Sequence, residues 1–173
     1  QGIIRKCARE GMDTVIFGDR GHSEVEGLLG FAEGRGHVVG SPEEAAALPP
    51  LPRICLVSQT TQSAEDFGAV AEALKRRGGE VKVFPTICPS TLSRQADLRD
   101  LLSRVEALVV VGGKNSANTG RLARIASLQE VPAFRVETAE ELPLGELDRY
   151  GVVGVTAGAS TPNWLIQEVV DLL

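Results

Sequence analysis

Polar residues follow apolar, strand-like runs at four places in the chain, and their types suit the binding of an anion. The four stretches are GDRGHSEVEG, SQTTQS, GGKNSANTG and TAGASTP. Hydroxyl and amide side chains, with free backbone amides at helix N-termini, are typical of phosphate sites. The candidate ligands are Thr60, Thr61, Ser116, Asn118 and Ser160. Such residues also cap helices and form turns. The recurrence in all four stretches favours a site, and the absence of Walker A and GxGxxG patterns disfavours a standard nucleotide loop.

His22 and Glu24 stand at the start of a predicted helix, and two interpretations of them remain open. A carboxylate there is stabilised by the helix dipole, which is a structural role. The same pair could instead act as a proton donor beside a hydrogen-bonding imidazole.

The chain has three cysteines, which argues against a secreted disulfide scaffold and favours a reducing cytoplasm. Cys55 in ICLV and Cys7 in a helical stretch are predicted core residues. Cys88 in TICPST lies between a strand and a helix, where a loop could present its thiolate. A lone cysteine cannot build a zinc or iron–sulfur site, and no catalytic base accompanies this one.

The composition of the 173 residues is that of an ordinary globular protein, 43% hydrophobic and 24% charged. A net charge of −5 argues against generic attraction to nucleic acid. No apolar run approaches the ~20 residues that span a bilayer. We therefore expect neither a nucleic-acid partner nor a membrane.

The elements that must position these residues alternate between strand and helix, and their order is repeated. TVIFG aligns with LVVVG, and VSQTT then falls near VTAGAS. The fold class is therefore α/β, with two tandem, pseudo-equivalent domains that have parallel sheets and span residues 1–83 and 84–173. In such sheets ligands bind at the carboxyl ends of the strands. The alignment pairs His22 with Ser116 and Glu24 with Asn118, so equivalent loops could face one shared cleft.

The motifs together resemble the IspH or LytB family of 4-hydroxy-3-methylbut-2-enyl diphosphate reductases. The matching stretches are GDRGHSEVEGLLG, VSQTTQS, TICPSTLSRQ, VVGGKNSANTGRL and GVTAGASTPNWLIQEV. The resemblance implies a cloverleaf of three α/β domains around a 4Fe–4S cluster. It also implies reductive dehydroxylation of an allylic diphosphate to isopentenyl and dimethylallyl diphosphate in the non-mevalonate isoprenoid pathway. The implied partner is an electron donor such as ferredoxin or flavodoxin.

The resemblance also implies roles for single residues. Cys88 would be a cluster ligand, and Glu24 would deliver the proton that helps the hydroxyl leave. His22 would hydrogen-bond around the substrate. Thr60 would contact the hydroxyl end and Glu24. Ser116, Asn118 and Ser160 would hold the diphosphate.

Two substitutions and an absence depart from the family pattern. Ala117 stands where many members have a second serine, and Ser23 replaces a usual proline. The family's first domain, with its cysteine and two histidines, has no counterpart here, and a second-domain cysteine is expected before Gln1. We therefore expect a truncated chain, inactive alone and without the cluster. The alternatives are a non-catalytic binding module for a small phosphorylated ligand and, below it, a thiol enzyme that uses Cys88.

Overall fold

Seven strands form two parallel sheets in a computed structural model that describes residues 1–173. The strands are β1 (Asp13–Phe17), β2 (Gly36–Val39), β3 (Arg53–Ser58), β4 (Glu80–Val83), β5 (Ala107–Val111), β6 (Ala133–Val136) and β7 (Val153–Ala157). The helices are α1 (Gly2–Arg9), α2 (Ser23–Leu29), α3 (Pro42–Ala47), α4 (Ala64–Arg76), α5 (Pro89–Leu102), α6 (Ala117–Leu128), α7 (Leu144–Leu147) and α8 (Asn163–Leu172). The α/β class and the parallel sheets are confirmed.

The chain divides into two units, Gln1–Leu92 and Ser93–Leu173. This division falls inside α5, later than the predicted boundary between residues 83 and 84. The segment that carries Cys88 therefore groups with the first unit.

The first unit has the strand order β2-β1-β3-β4, with helices on both faces. Alternate residues of β1 and β3 point to opposite faces, so each face has its own core. Phe17 and Leu56 belong to the core formed with α3 and α4. Ile16 and Cys55 belong to the core formed with α1 and α2. Burial on both faces explains why VIF in β1 and ICLV in β3 are continuous apolar runs rather than alternating patterns.

The second unit repeats this plan with the order β6-β5-β7. Residues of β5 are fully buried, and they alternate between a core with α5 and α6 and a core with α7 and α8. In both units the first strand is central. The chain passes to one side of it and then returns to the other side, which creates a topological switch point at the carboxyl edge of the sheet.

Local signals set most helix ends. Ser41 and Ser63 cap α3 and α4, because their hydroxyls accept hydrogen bonds from the amides of Glu44 and Asp66 at 3.3 Å. Gly78, with φ of +81°, follows the end of α4. The sequence predicts these helix ends, because Ser41 and Ser63 precede helical patterns and Gly78 follows one, and the structure confirms them.

The sequence pattern predicts helices at TAEEL and at SRQADLRDLLSRVE, which begins at Ser93, and both predictions were wrong in detail. TAEEL forms a 3-10 turn, Ala139–Glu141, instead of an α-helix, and the short α7 that follows it was not predicted. Helix α5 begins at Pro89 rather than at Ser93, because proline is well suited to the first helical position. Cys88 therefore lies directly at a helix start.

No helix of this chain combines the length and the apolarity that a membrane crossing requires.

Candidate functional site

The predicted site residues collect at the switch point of each sheet. In the first unit, β1 and β3 are neighbours, and the segments that leave them carry Glu24 and Thr60. In the second unit, β5 and β7 are neighbours, and the segments that leave them carry Ser116 and Ser160. Strand topology alone thus places each pair of loops side by side.

Glu24 and Thr60 are joined by two hydrogen bonds. The amide of Thr60 donates to Oε1 of Glu24 at 2.8 Å, and the Thr60 hydroxyl donates to Oε2 at 3.0 Å. Each carboxylate oxygen therefore has its own donor, which fixes the side chain in one orientation. A hydroxyl can also accept a proton, so Thr60 is able to relay one between Glu24 and a third group. Thr61, next along the loop, is half-buried.

His22 occupies the N-cap position of α2, and its Nδ1 accepts a hydrogen bond from the amide of Glu24 at 3.2 Å. In a neutral imidazole with Nδ1 as acceptor, the proton resides on Nε2, which is then a donor. The cap role and the donor role are thus compatible. Ser116 occupies the same position at α6, where its hydroxyl accepts from the amide of Thr119 at 3.3 Å. The two N-caps are the two residues that the repeat alignment had paired.

Cys88 lies beside Thr60, because its amide donates to the carbonyl of Thr60 at 2.9 Å. Its sulfur lies 3.1 Å from the hydroxyl of Ser90. The Ser90 hydroxyl, followed by the amides of Ser90 and Thr91, lowers the pKa of the Cys88 thiol. The Ser90 hydroxyl and the amides of the first turn of α5 thus stabilise a half-buried thiolate. Glu24, Thr60 and Cys88 form one connected group.

Cys7 and Cys55 have a different environment. Both are buried in the core between α1 and the sheet, with exposures of 2% and 0%. Burial raises the pKa of the Cys55 thiol, and the hydrogen bond with Cys7 raises it further. Both cysteines are core residues, as predicted, and Cys88 is the accessible thiol of the chain.

We expect iodoacetamide to alkylate Cys88 in the folded chain and to leave Cys7 and Cys55 unmodified. The reactive form is the thiolate, so the rate should rise with pH around a midpoint below that of free cysteine. Ser90→Ala removes the largest cause of the lowered pKa and should move the midpoint upward. Mass spectrometry of the labelled peptides checks both results, with labelling in guanidinium as the control in which all three thiols react. Equal native labelling of Cys55 would contradict this account.

Buried polar side chains that the sequence analysis did not identify hold these loops together. The fully buried Gln59 accepts hydrogen bonds at Oε1 from the amide of Asp19 at 2.9 Å and from Nε2 of Gln62 at 3.3 Å. The Thr86 hydroxyl donates to the carbonyl of Ser58 at 2.8 Å and accepts from its amide at 2.8 Å. The first set ties the β1 loop to the β3 loop, and the second ties the Cys88 segment to β3. In the sequence, the signal that could have revealed this network is the pair of glutamines, Gln59 and Gln62, just after an apolar strand.

The second unit presents neutral donors at its switch point. Ser116 and Asn118 are half-buried at the start of α6, and Ser160 is exposed in the loop after β7. The Nδ2 atom of Asn118 is buried and has no hydrogen-bond partner. Buried donors without partners are rare and costly, so this amide is suited to an acceptor supplied by a ligand.

Two glycines permit the close approach of the β5 and β7 loops. A Cβ on Gly112 would lie 2.8 Å from the Thr119 hydroxyl, and one on Gly158 would lie equally close to it. The Thr161 hydroxyl donates to the carbonyl of Val111 at 3.1 Å, and the Gly158 amide donates to the same carbonyl at 2.9 Å. The loops are therefore packed against each other through Thr119 and Thr161.

Gly112→Ala should destabilise the chain by about 2 to 5 kcal/mol, because alanine adds both backbone strain and an overpacked contact. The φ angle of Gly112 is +148°, and the contact is with a buried side chain. Urea unfolding measures the loss. Gly145→Ala in α7 is the matched control, because a Cβ there meets nothing within 4 Å. Similar stabilities of the two variants would show that this close approach is not required.

The residues fit an iron–sulfur cluster only in part. Cys88 is accessible and its thiolate is favoured, as a cluster ligand requires. No group of three or more histidine, cysteine, aspartate or glutamate side chains is placed to hold a metal ion. These residues thus offer one ligand and not a complete set.

Comparison with known proteins identifies the family. The model of the family described as LytB protein matches residues 1–173. This chain belongs to the LytB family. The 4-hydroxy-3-methylbut-2-enyl diphosphate reductase of Opitutus terrae is 47% identical over 169 residues, which cover 97% of this chain and 58% of that protein. The reductase of the same name from Geobacter sulfurreducens is 45% identical over 171 residues, covering 99% of this chain and 61% of its own length.

Solved structures agree with this membership. The E-1-hydroxy-2-methyl-but-2-enyl-4-diphosphate reductase from Plasmodium falciparum superposes with a TM-score of 0.90 at 29% identity. The match covers 98% of this LytB-family chain and 55% of that protein. A second structure, described as the terminal enzyme of the non-mevalonate pathway, has a TM-score of 0.56 at 37% identity. The chain thus spans roughly 60% of the length of the curated relatives that it matches.

Proposed function

We propose that this chain carries the proton-donating and diphosphate-binding loops of a 4-hydroxy-3-methylbut-2-enyl diphosphate reductase. The relatives bear that name. The observation that carries the proposal is the connected group of Glu24, Thr60 and Cys88. The Glu24 carboxyl group accepts from the amide and the hydroxyl of Thr60 at 2.8 and 3.0 Å, and the Cys88 backbone amide donates to the Thr60 carbonyl at 2.9 Å, which holds the residue of the accessible thiol beside them.

Glu24 is proposed as the general acid, with Thr60 as its positioning partner. Loss of a hydroxyl requires a proton at the departing oxygen, and a carboxyl held in one orientation can supply it. When Glu24 is protonated, the Thr60 hydroxyl can accept that proton while it passes its own to the departing oxygen, so it can lie between the two groups. His22, with Nε2 as donor, would hydrogen-bond to the substrate beside them.

The diphosphate is proposed to bind at the second unit. The amides of the first turn of α6 and the side chains of Ser116, Asn118 and Ser160 would donate to its oxygens. The unpartnered Nδ2 atom of Asn118 supports this assignment. Ala117 supplies no hydroxyl, but its backbone amide lies in the same turn. Thr61, which belongs to the first unit, stays a predicted substrate-binding residue.

Cys88 is proposed as one ligand of a 4Fe–4S cluster, which would transfer to the substrate, one at a time, the two electrons that the dehydroxylation consumes and that an external donor supplies. Because these 173 residues offer one accessible thiol, we propose that they neither retain the cluster nor turn over alone. An electron-donor protein of the ferredoxin or flavodoxin kind and a cytoplasmic setting stay predictions.

A second candidate is a binding module for a small phosphorylated ligand. The unpartnered Asn118 amide at the start of α6 favours it, because that feature needs a ligand but no cluster. Both candidate functions require binding of a phosphorylated anion, and only the reductase converts that anion to product.

An assay of substrate turnover distinguishes the two candidate functions. We define the hybrid reductase as the Opitutus terrae relative with its matching part replaced by this chain. After anaerobic reconstitution, and with a chemical reductant, it should convert the allylic diphosphate to isopentenyl and dimethylallyl diphosphate. Chromatography of the products checks this. Binding of the substrate without turnover, beside an active parent relative, would favour the binding module.

A further inference from the structure

Lys114 stands where a phosphate-binding cation would be expected, between two glycines and the N-cap of α6. However, its polar groups form hydrogen bonds with other residues of the chain. The Lys114 amide donates to Oε1 of Glu137 at 2.6 Å, and its Nζ donates to Oε1 of Glu141 at 2.6 Å. Its carbonyl accepts from Nη2 of Arg135 at 2.6 Å. Every polar group of Lys114 is therefore engaged by the segment that includes and follows β6.

The partners of Lys114 are themselves held in place. The amide of Glu137 donates to Oε2 of Glu141 at 2.9 Å, so both oxygens of Glu141 are used. The pairing of Val111 with Val136 sets the two segments side by side. The hydrogen bond with Glu141 raises the pKa of Lys114, and it lowers the pKa of Glu141. Both groups therefore stay charged near neutral pH.

We propose that Lys114, Arg135, Glu137 and Glu141 form a clamp, called here the Lys114 clamp, that positions the loop Gly112–Ser116 for diphosphate binding. Lys114 is then a positioning residue and not a ligand of the diphosphate. The two basic and two acidic side chains cancel in charge, so recognition at this loop falls to the neutral donors of Ser116, Asn118 and the first turn of α6. This inference rests on the proposed diphosphate site.

Two charge-conserving changes distinguish a clamp from a phosphate ligand. Glu137→Asp keeps the charge but withdraws the carboxylate from the Lys114 amide. The double change Lys114→Met with Glu141→Gln removes the ammonium together with its counter-ion. Glu140→Asp is the matched control for the first change, because Glu140 is exposed and lies in the 3-10 turn Ala139–Glu141 that closely follows Glu137.

The probe is inorganic pyrophosphate, titrated calorimetrically into the 173-residue chain. Glu137→Asp should weaken binding about 3- to 10-fold, the effect of one positioning hydrogen bond, whereas Glu140→Asp should not change it. The double variant should stay within about 5-fold of wild type, because it loses only an exposed ion pair. A loss of about 10- to 100-fold in the double variant would make Lys114 a charged phosphate ligand and overturn the proposal.

The clamp is also tested without any ligand. Hydrogen exchange of the Lys114 amide, followed by NMR, should quicken about 10-fold or more in Glu137→Asp relative to Glu140→Asp, because that amide loses its acceptor. Equal exchange in the two variants overturns the clamp. If wild type binds no pyrophosphate but the exchange result holds, the clamp exists and the proposed diphosphate site has failed. Thermal unfolding of each variant shows whether the substitution affects only the loop around Lys114 or also lowers the stability of the whole chain.

Discussion

Glu24→Gln in the hybrid reductase should lower kcat by about 10²- to 10⁴-fold, the usual contribution of a general acid. Glutamine keeps the size of the side chain and can still accept from the Thr60 amide, but it has no proton to deliver. The iron content and the visible spectrum should be unchanged, because Glu24 is not proposed as a cluster ligand. Anaerobic steady-state kinetics measure the loss.

Glu26→Gln is the control for this change. Glu26 lies on the same helix, is exposed, and differs from Glu24 in having no partner on the Thr60 loop. Its kcat should stay within about two-fold of wild type, as is usual for surface substitutions. If the two variants lose activity alike, or if Glu24→Gln keeps nearly full activity, Glu24 is not the proton donor.

Asn118→Asp should weaken the binding of pyrophosphate to this chain by about 10- to 100-fold, the effect of losing a hydrogen bond to a charged group. The change replaces the buried, unpartnered Nδ2 donor by an oxygen that repels the anion. It alters the shape of the side chain very little. Isothermal titration calorimetry at two salt concentrations measures the effect.

Asn115→Asp adds the same charge to the same loop at an exposed position. Its effect should be smaller and should fade with added salt, because exposed charges are screened within about 8 to 10 Å at physiological ionic strength. The Asn118→Asp effect should persist in salt, since it reflects a lost contact. Equal and equally salt-sensitive losses would mean that Asn118 does not contact the anion.

Much of the fold follows from local signals in the sequence. The uninterrupted apolar runs of β1, β3 and β5 predict strands that are buried on both faces, and the serines before α3 and α4 predict the caps that are observed. The repeat predicts that His22 and Ser116 are equivalent, and both are N-caps. These features depend on residues close together in the chain.

The contacts that complete the site depend on residues far apart. The hydrogen bond of Lys114 with Glu137 requires the register of β5 against β6, which periodicity does not specify. The Gln59 network and the bond of Thr60 to Glu24 likewise require the pairing of β1 with β3. Local propensity also fails at TAEEL, where a proline after a single turn prevents a longer α-helix.

The central claim is that Cys88 is one cluster ligand and that these residues do not supply the rest. Anaerobic reconstitution with iron and sulfide, followed by iron analysis and visible absorbance, tests it on the 173-residue chain, the hybrid reductase and the Cys88→Ser hybrid. We expect about four irons in the hybrid and little iron in the other two proteins. A stable cluster in the chain alone, or an intact and active one in the Cys88→Ser hybrid, would contradict the claim.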